Sequence, residues 1–421
     1  MRRARLGAGV CAGLLAACAP AATAVAGTSG DGATYAALGD SYTTGPLIPN
    51  PKGEPIDCGR SDHNYPTLVA NEIAPDEFRD VSCGSAQTEH MAEPQDGLPL
   101  GGTNPPQFGA LTPGVDLVTV GIGGNDMGFG GIVETCVTLA IQSAGQGSPC
   151  TDHYNQGGVD QIAERLETEV APRVADVIDG IQERSPDARL VVVGFPDPVP
   201  QQPGCFPVVP IAPGDLPYLH RVAANLDATE RLVAAEGGAE YVELLTGSMG
   251  HDICQLPGTK WYEGIVPTAP AFPAHPNALG MEFAAREVLK VLAQPVPNRF
   301  RIVRQRASRR WRITLRLEAP YRGSFRAKAT ATRAPTPRRK RGGGLIRYAS
   351  GRAFAERPGR LRLRLRTRDD GREALRERES LRVRVKVRFE PVGGEPRTKR
   401  TRLRVGRQLP THRGASGPLG T

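Results

Sequence analysis

Thr34-Tyr-Ala-Ala-Leu-Gly-Asp-Ser-Tyr42 reads as a short buried strand that runs directly into a turn carrying a serine. In an open α/β sheet, the carboxyl end of the first strand is where ligands are placed. Thr43 stands where a GxSxG elbow would have its second glycine, so that motif is absent. By itself a Gly-Asp-Ser tripeptide is equally well a turn. The loops further along the chain decide between the two.

Downstream, Tyr65 to Ala74 has helical character, and Val81 with its neighbours suggests a second strand ending at Cys83-Gly-Ser85. A Pro/Gly-rich loop fills roughly 94–114, and Asp116 to Val120 is a third strand leading into Gly121-Ile-Gly-Gly-Asn-Asp126. Helical periodicity over Val159 to Glu183 is interrupted at Pro172, a predicted kink. Arg189 to Gly194 and Ala239 to Leu244 are further strands, separated by a helix over Leu216 to Ala235. Asn277 to Ala293 closes the series as a helix. Strands alternating with helices predict right-handed crossovers and a parallel sheet covered on both faces, the α/β class.

Beyond Pro295 and Pro297 the period changes. Trp311 to Leu317, Leu361-Arg-Leu-Arg-Leu-Arg366 and Val383-Arg-Val-Lys-Val-Arg-Phe389 alternate strictly, as strands with one dry and one wet face do. The expectation is a small all-β, sandwich-like domain over 299–405, with Asp370 to Glu379 as a short helix or charged loop and a disordered tail over 406–421. Charge marks the same division. Residues 299–421 hold 38 Lys and Arg against 9 Asp and Glu, whereas residues 1–298 hold 15 against 35.

The amino terminus reads as an export leader over 1–26: Arg2, Arg3 and Arg5, an apolar core, then Ala24-Val25-Ala26 before Gly27. Leu15-Ala16-Ala17-Cys18 resembles a lipoprotein box that would lipidate Cys18, and plain secretion is the reading preferred. After the leader there is no apolar run of about 18 residues, so no transmembrane span is expected. Six cysteines remain: Cys58, Cys83, Cys136, Cys150, Cys205 and Cys254. An even number in an exported chain implies disulfides, and six permit about 15 connectivities. None forms a CxxC pair or clusters with histidine at ligand spacing, so neither a metal nor another cofactor is expected.

Gly84 follows the second strand and Asn125 the third, on the same rim as Ser41. A turn glycine and a helix N-cap are the ordinary explanations of each alone. Together, the Ser41 N–H, the Gly84 N–H and the Asn125 amide form a donor set suited to the oxyanion of acyl transfer. Ala37-Leu-Gly-Asp-Ser-Tyr42, Cys83-Gly-Ser85, Val120 to Asp126 and His275-Pro-Asn-Ala-Leu-Gly280 resemble the four blocks of the SGNH (GDSL-type) hydrolases, most closely the secreted actinobacterial lipase and esterase branch. The resemblance spans about 34–293. It implies a three-layer α/β/α, flavodoxin-like fold and a catalytic Ser41, Gly84, Asn125 and His275.

Seven histidines compete for the role of base. His275 sits just before a helix with Pro276 at its start, at the end of the last crossover. His251, beside Asp252, is its rival and reads as a surface residue near a disulfide. The family commonly has Asp three residues before this histidine, where Phe272 stands here. The resemblance suggests that the main-chain carbonyl of Phe272 orients the imidazole instead, with Asp252 and Glu263 as alternatives. Asp40 and Asp126 read as structural.

Sequential disulfides, Cys58–Cys83, Cys136–Cys150 and Cys205–Cys254, fit the loops after successive strands and the pattern the resemblance implies. The whole reads as a secreted, monomeric ester hydrolase acting on an ester or lipid, without nucleic acid as a partner. Its basic domain admits three readings: binding of an anionic cell-surface polymer, acidic polysaccharide or anionic lipid headgroups; docking on the acidic domain of its own chain; or a solvated sheet face. The alternatives are a polysaccharide O-deacetylase, an acyltransferase, or a surface-binding protein without catalysis.

Overall fold

A computed structural model describes residues 32–308, 310–332, 344–377 and 379–406. The expected leader, Cys18 and the chain beyond Gly406 lie outside the described residues.

Five strands, β1 (Thr34–Gly39), β2 (Glu77–Asp80), β3 (Leu117–Gly121), β4 (Arg189–Val193) and β5 (Glu240–Val242), form a parallel sheet in the order β2-β1-β3-β4-β5. β3 and β4 are buried along their whole length, as strands covered on both faces must be. The order reverses between β1 and β3, so their carboxyl ends flank a topological switch point. Short helices α1 (Ser41–Thr44) and α3 (Gly124–Met127) come immediately after these two strands.

One face is covered by α2 (Tyr65–Ile73) and α9 (Ala278–Leu292), capped by the side chains of Asn64 and Asn277 respectively. The other carries α6 (Gln161–Arg165), α7 (Ala171–Arg184) and α8 (Leu216–Gly237), packed through Ile162, Val174, Ile178 and Val222. The predicted break at Pro172 takes a different form. A π-helical turn, Leu166–Val170, joins α6 to α7 with helical backbone at both junctions, and Pro172, which has no N–H to donate, comes directly after it. Two helices that the periodicity did not disclose, α4 (Phe129–Gln142) and α5 (Pro149–Tyr154), come after α3.

The remaining strands are β6 (Arg301–Ala307), β7 (Ile313–Ala319), β8 (Gly323–Thr332), β9 (Leu345–Ala355), β10 (Gly359–Thr367), β11 (Ser380–Pro391) and β12 (Arg397–Gly406), with α10 (Asp369–Arg376) between β10 and β11. They form one antiparallel sheet in the order β12-β11-β8-β9-β10-β7-β6. Its two outer strands approach each other, the Gln305 amide of β6 donating to the Arg402 carbonyl of β12 and its oxygen meeting the Thr401 hydroxyl. The two faces of the expected sandwich are therefore one sheet curled around Phe300, Phe325, Phe389, Leu315 and Val385. The strand β12 extends to Gly406, which pairs with Ser380, so the start of the expected tail is in the sheet.

This domain meets the amino ends of the parallel strands. Arg189, first in β4, binds Glu240, first in β5, at 2.6 and 2.9 Å and also donates to three carbonyls at the end of α9 and just beyond it. Tyr321 reaches Glu240 at 3.5 Å, and a side chain at Gly393 would meet Arg189 Cβ at 3.0 Å. Ser41 lies at the opposite, carboxyl edge of the sheet.

Candidate active site

The turn that carries Ser41 depends on Gly39. Its φ of 149° lies where L side chains rarely go, and an added Cβ would fall 2.2 Å from Thr43 Oγ1. The Gln107 side chain, from the Pro/Gly-rich loop, bonds both the N–H and the carbonyl of Gly39 at 2.8 and 2.9 Å, fixing the strand's last residue. Asp40 caps α1 by accepting from the Tyr42 N–H at 2.9 Å. Burial pushes its carboxyl up to about 7, against the pull of that bond.

His275 Nε2 lies 2.7 Å from Ser41 Oγ. Its Nδ1 is 2.8 Å from the Pro273 carbonyl. That oxygen can only accept, so Nδ1 carries the proton and Nε2 is bare toward the serine hydroxyl. The expected orienting group, the Phe272 carbonyl, instead accepts the His275 backbone N–H at 3.2 Å. A carbonyl two residues back, rather than three, reaches the ring because Ala274 takes a left-handed φ of 61°. Asp252 is engaged with Cys254 and Gln255, and Glu263 with Lys260, Thr268 and Asn277, so neither turns to His275. Burial lowers the imidazole's pKa below its ordinary value, partly offset by the Pro273 bond. His251 stacks on Trp261 with ring centroids 3.5 Å apart and faces the Thr259 carbonyl, apart from this pair.

Asn125 sits in α3. Its Nδ2 donates to the Ala86 carbonyl at 2.9 Å, which pins the amide and leaves its second N–H free to act. The Ser41 N–H opens α1 and has no acceptor among the described residues. Gly84 lines the same cavity, but its N–H donates to the Cys58 carbonyl at 2.9 Å. Of the donor set expected from the sequence, Ser41, Gly84 and Asn125 border one cavity, and the Gly84 N–H is already taken. Asp126 accepts from the Thr88 N–H and hydroxyl and has Arg173 at 3.6 Å, a loop-bracing role.

Sequence reasoning missed Tyr42 as part of the site. Its hydroxyl donates to the Ala274 carbonyl at 2.7 Å and its ring packs 5.0 Å from His275, tying the serine's helix to the histidine's loop. The buried Lys260–Glu263 pair, at 2.8 Å, and Asn277 hold the other side of that loop. Only its place beside the serine could have drawn attention to Tyr42.

Disulfides join Cys58 to Cys83, Cys136 to Cys150 and Cys205 to Cys254. The first ties the loop after α1 to the Gly84 turn. The third bridges the loops after β4 and β5. A cavity of about 1190 Å³ opens beside Ser41 and His275. Its apolar lining includes Met127, Ile132, Val137, Leu219, Val222 and Leu226. Among the described residues no helix is long and apolar enough to cross a membrane.

A five-stranded parallel sheet in this order carries a close Ser–His pair and an asparagine in the loops at its switch point. The chain belongs to the GDSL-like Lipase/Acylhydrolase family, whose model matches residues 37–283, and it is a carboxylic ester hydrolase. It is 38% identical over 262 residues to Lipase 2 of Streptomyces coelicolor, covering 61% of this chain and 85% of that one. An esterase of Streptomyces scabiei is 30% identical over 298 residues, covering 60% and 83%. The crystal structure of a phospholipase A1 from Streptomyces albidoflavus matches with a TM-score of 0.51 and 26% identity, covering 62% of this chain and 99% of that one. The similarity to both curated relatives and to this structure covers about three fifths of the chain.

Proposed function

We propose that this hydrolase is an exported lipase that cleaves long-chain acyl esters through a Ser41–His275 acyl-enzyme cycle. What supports the reading above all is the 2.7 Å contact between Ser41 Oγ and a correctly tautomerised His275, at the mouth of a largely apolar cavity. His275 Nε2 takes the hydroxyl proton as Oγ attacks the ester carbonyl. The carbonyl oxygen becomes an oxyanion facing the Ser41 N–H and Asn125 Nδ2. Collapse expels the alcohol, whose oxygen takes the proton from Nε2. Water, deprotonated by the same nitrogen, then releases the acid and restores the serine. The Pro273 carbonyl orients the ring without supplying a carboxylate's charge. Gly84 joins the donors when the oxyanion competes with the Cys58 carbonyl for its N–H. The acyl chain lies along the wall between α4 and α8.

Export is inferred from the leader at 1–26, with the three disulfides suited to an oxidising compartment. Amino-terminal sequencing of the mature protein yields Gly27 on this reading, whereas a lipid-modified Cys18 marks an anchored form.

A fluorophosphonate probe tests the core of the proposal. It should label the wild type and spare Ser41→Ala; equal labelling of both would refute the assignment. A panel of p-nitrophenyl esters from acetyl to palmitoyl, beside acetylated polysaccharide, tests the substrate class. Preference for acetyl groups or for the polysaccharide would replace lipase with deacetylase.

A further inference from the structure

The outer face of the antiparallel sheet carries cations in register. Arg382, Arg384, Lys386 and Arg388 of β11 are all exposed and stand directly opposite Arg404, Arg402, Arg400 and Thr398 of β12. On the other side of β11, Lys386 faces Lys328 and Arg388 faces Arg326 of β8, and Arg326 in turn faces Arg352 of β9. Like charges directly opposite destabilise a sheet. Among the described residues, Arg388 has Glu390 at 3.3 Å, while Arg384, Lys386, Arg400, Arg402 and Lys328 have no carboxylate partner. Among the described residues these five cations therefore form part of a repulsive array without a paired carboxylate. Contacts to the acidic hydrolase domain are made elsewhere, by Tyr321 and Gly393.

We propose that these rows bind a linear phosphodiester polymer of the cell envelope and tether the enzyme by the end opposite its active-site mouth. Three observations select this occupant over a membrane. The sheet curls until β12 meets β6, so its outward side chains diverge and a flat bilayer would touch few of them, whereas a flexible chain can track the curve. Among the described residues β8, β11 and β12 expose no large apolar side chain and the adjoining β9 exposes only Leu345 and Phe354, few apolar anchors for a lipid surface. The domain also sits at the amino edge of the parallel sheet, away from the carboxyl edge where the mouth opens.

Spacing favours phosphodiesters. Side chains on one face of a strand recur about every 6.8 Å. A three-carbon polyol phosphate has the same number of backbone bonds per charge as two peptide residues and extends to about the same length, roughly 7 Å. Guanidinium groups add bidentate contacts to phosphate oxygens.

The test uses the full mature chain on four immobilised matrices: poly(glycerol phosphate), polygalacturonate, duplex DNA, and vesicles rich in phosphatidylglycerol. Poly(glycerol phosphate) should retain the protein most strongly and release it as sodium chloride rises from about 50 to about 500 mM. Stronger retention on any other matrix overturns the choice of polymer, and this comparison needs no variant. Lys328→Gln/Lys386→Gln/Arg400→Gln should bind about tenfold or more weakly, with a shallower salt dependence. Its melting temperature should hold or rise as repulsion is relieved. Removing equal charge from the hydrolase domain, Arg221→Gln/Arg286→Gln/Lys290→Gln, should leave retention within about twofold. Equal losses in the two variants would reduce the rows to bulk charge and overturn the proposal. Bound enzyme should hydrolyse a soluble ester within about twofold of the free rate, because the mouth faces away; silencing on binding would contradict the geometry.

Discussion

In the parallel sheet the strands are short and β3 and β4 are buried from end to end; in the antiparallel sheet β11 runs for 12 residues and exposes a charge at alternate positions from Arg382 to Arg388. Both sheets enclose dry cores. They differ in where polar groups can act. A strand covered on both faces leaves only its ends open, so chemistry collects at the loops beyond β1 and β3. A sheet wet along its outer face can hold repeated charge there. One sheet builds a point, the other a surface.

If that division is right, the largest effects belong to the point. Ser41→Ala and His275→Ala should each reduce kcat on a soluble ester by a factor on the order of 10⁴–10⁶, without change in melting temperature beyond a few degrees. The two losses should not multiply in the double variant, because the residues act as one unit. Additive free-energy losses would contradict the pairing.

Asn125→Ala should lower kcat by ~10²–10³ with KM little altered, since the amide acts on charge that appears only in the transition state. A loss below threefold would remove it from the oxyanion site. The pH profile probes the same region. Burial holds the His275 pKa below the ordinary imidazole value of about 6.5, and the base must be neutral. Activity is therefore retained as pH falls to about 6.5 and is lost only as it passes through the lowered value; kcat/KM recorded across this range checks it. An acid limb centred above about 6.5 would mean that the ring is more stabilised as imidazolium than a carbonyl partner permits.

The two regions were also legible to different degrees. In the antiparallel domain, alternation exposed the strands at 361–366 and 383–389 because one face is wet, but β6, β8 and β9 went unread. Arg304, Gly323, Gly351 and the many alanines of β8 and β9 blur the period. Nothing in alternation says whether the faces belong to one sheet or two. In the hydrolase domain the periodicity was weaker, yet the spacing of Ser41, Gly84, Asn125 and His275 placed them on one rim, because each comes after a strand or the last crossover. Finer contacts were beyond that logic. That Pro273 rather than Phe272 meets the imidazole depends on the left-handed turn at Ala274, an alanine that signals no such conformation. That the Gly84 N–H is taken by Cys58 depends on how the Cys58–Cys83 bridge seats one loop on another.

Tyr42→Phe probes such a contact at intermediate size. It removes the bond to the Ala274 carbonyl while keeping the ring against His275 and Phe195. Losing one such bond costs about 1 kcal/mol, or roughly fivefold in kcat if the histidine loop loosens. Steady-state rates beside a thermal melt separate the cases: a lower melting temperature with unchanged kcat would make the contact purely structural.

The smallest effect on catalysis should come from the largest deletion. Every proposed catalytic group precedes α9, and the basic domain abuts the amino ends of the strands, a sheet's length from Ser41. Removing residues 299–421 exposes Arg189 and Glu240, which retain each other and the carbonyls of Val291, Leu292 and Gln294. That ion pair, largely buried now, becomes a surface pair, and its hydration offsets what its lost partners contributed. Tyr321 leaves a contact of only 3.5 Å, too long to matter much. Hydrolysis of a soluble ester by the truncated enzyme should therefore stay within about twofold of the full chain at 25 °C, even if its melting temperature falls by several degrees through exposure of Val296 and its neighbours. Parallel measurements of kcat/KM and thermal unfolding check this. A tenfold loss of kcat/KM in a truncated protein that remains folded would mean the amino edge communicates with the site, and the separation of point from surface would fail.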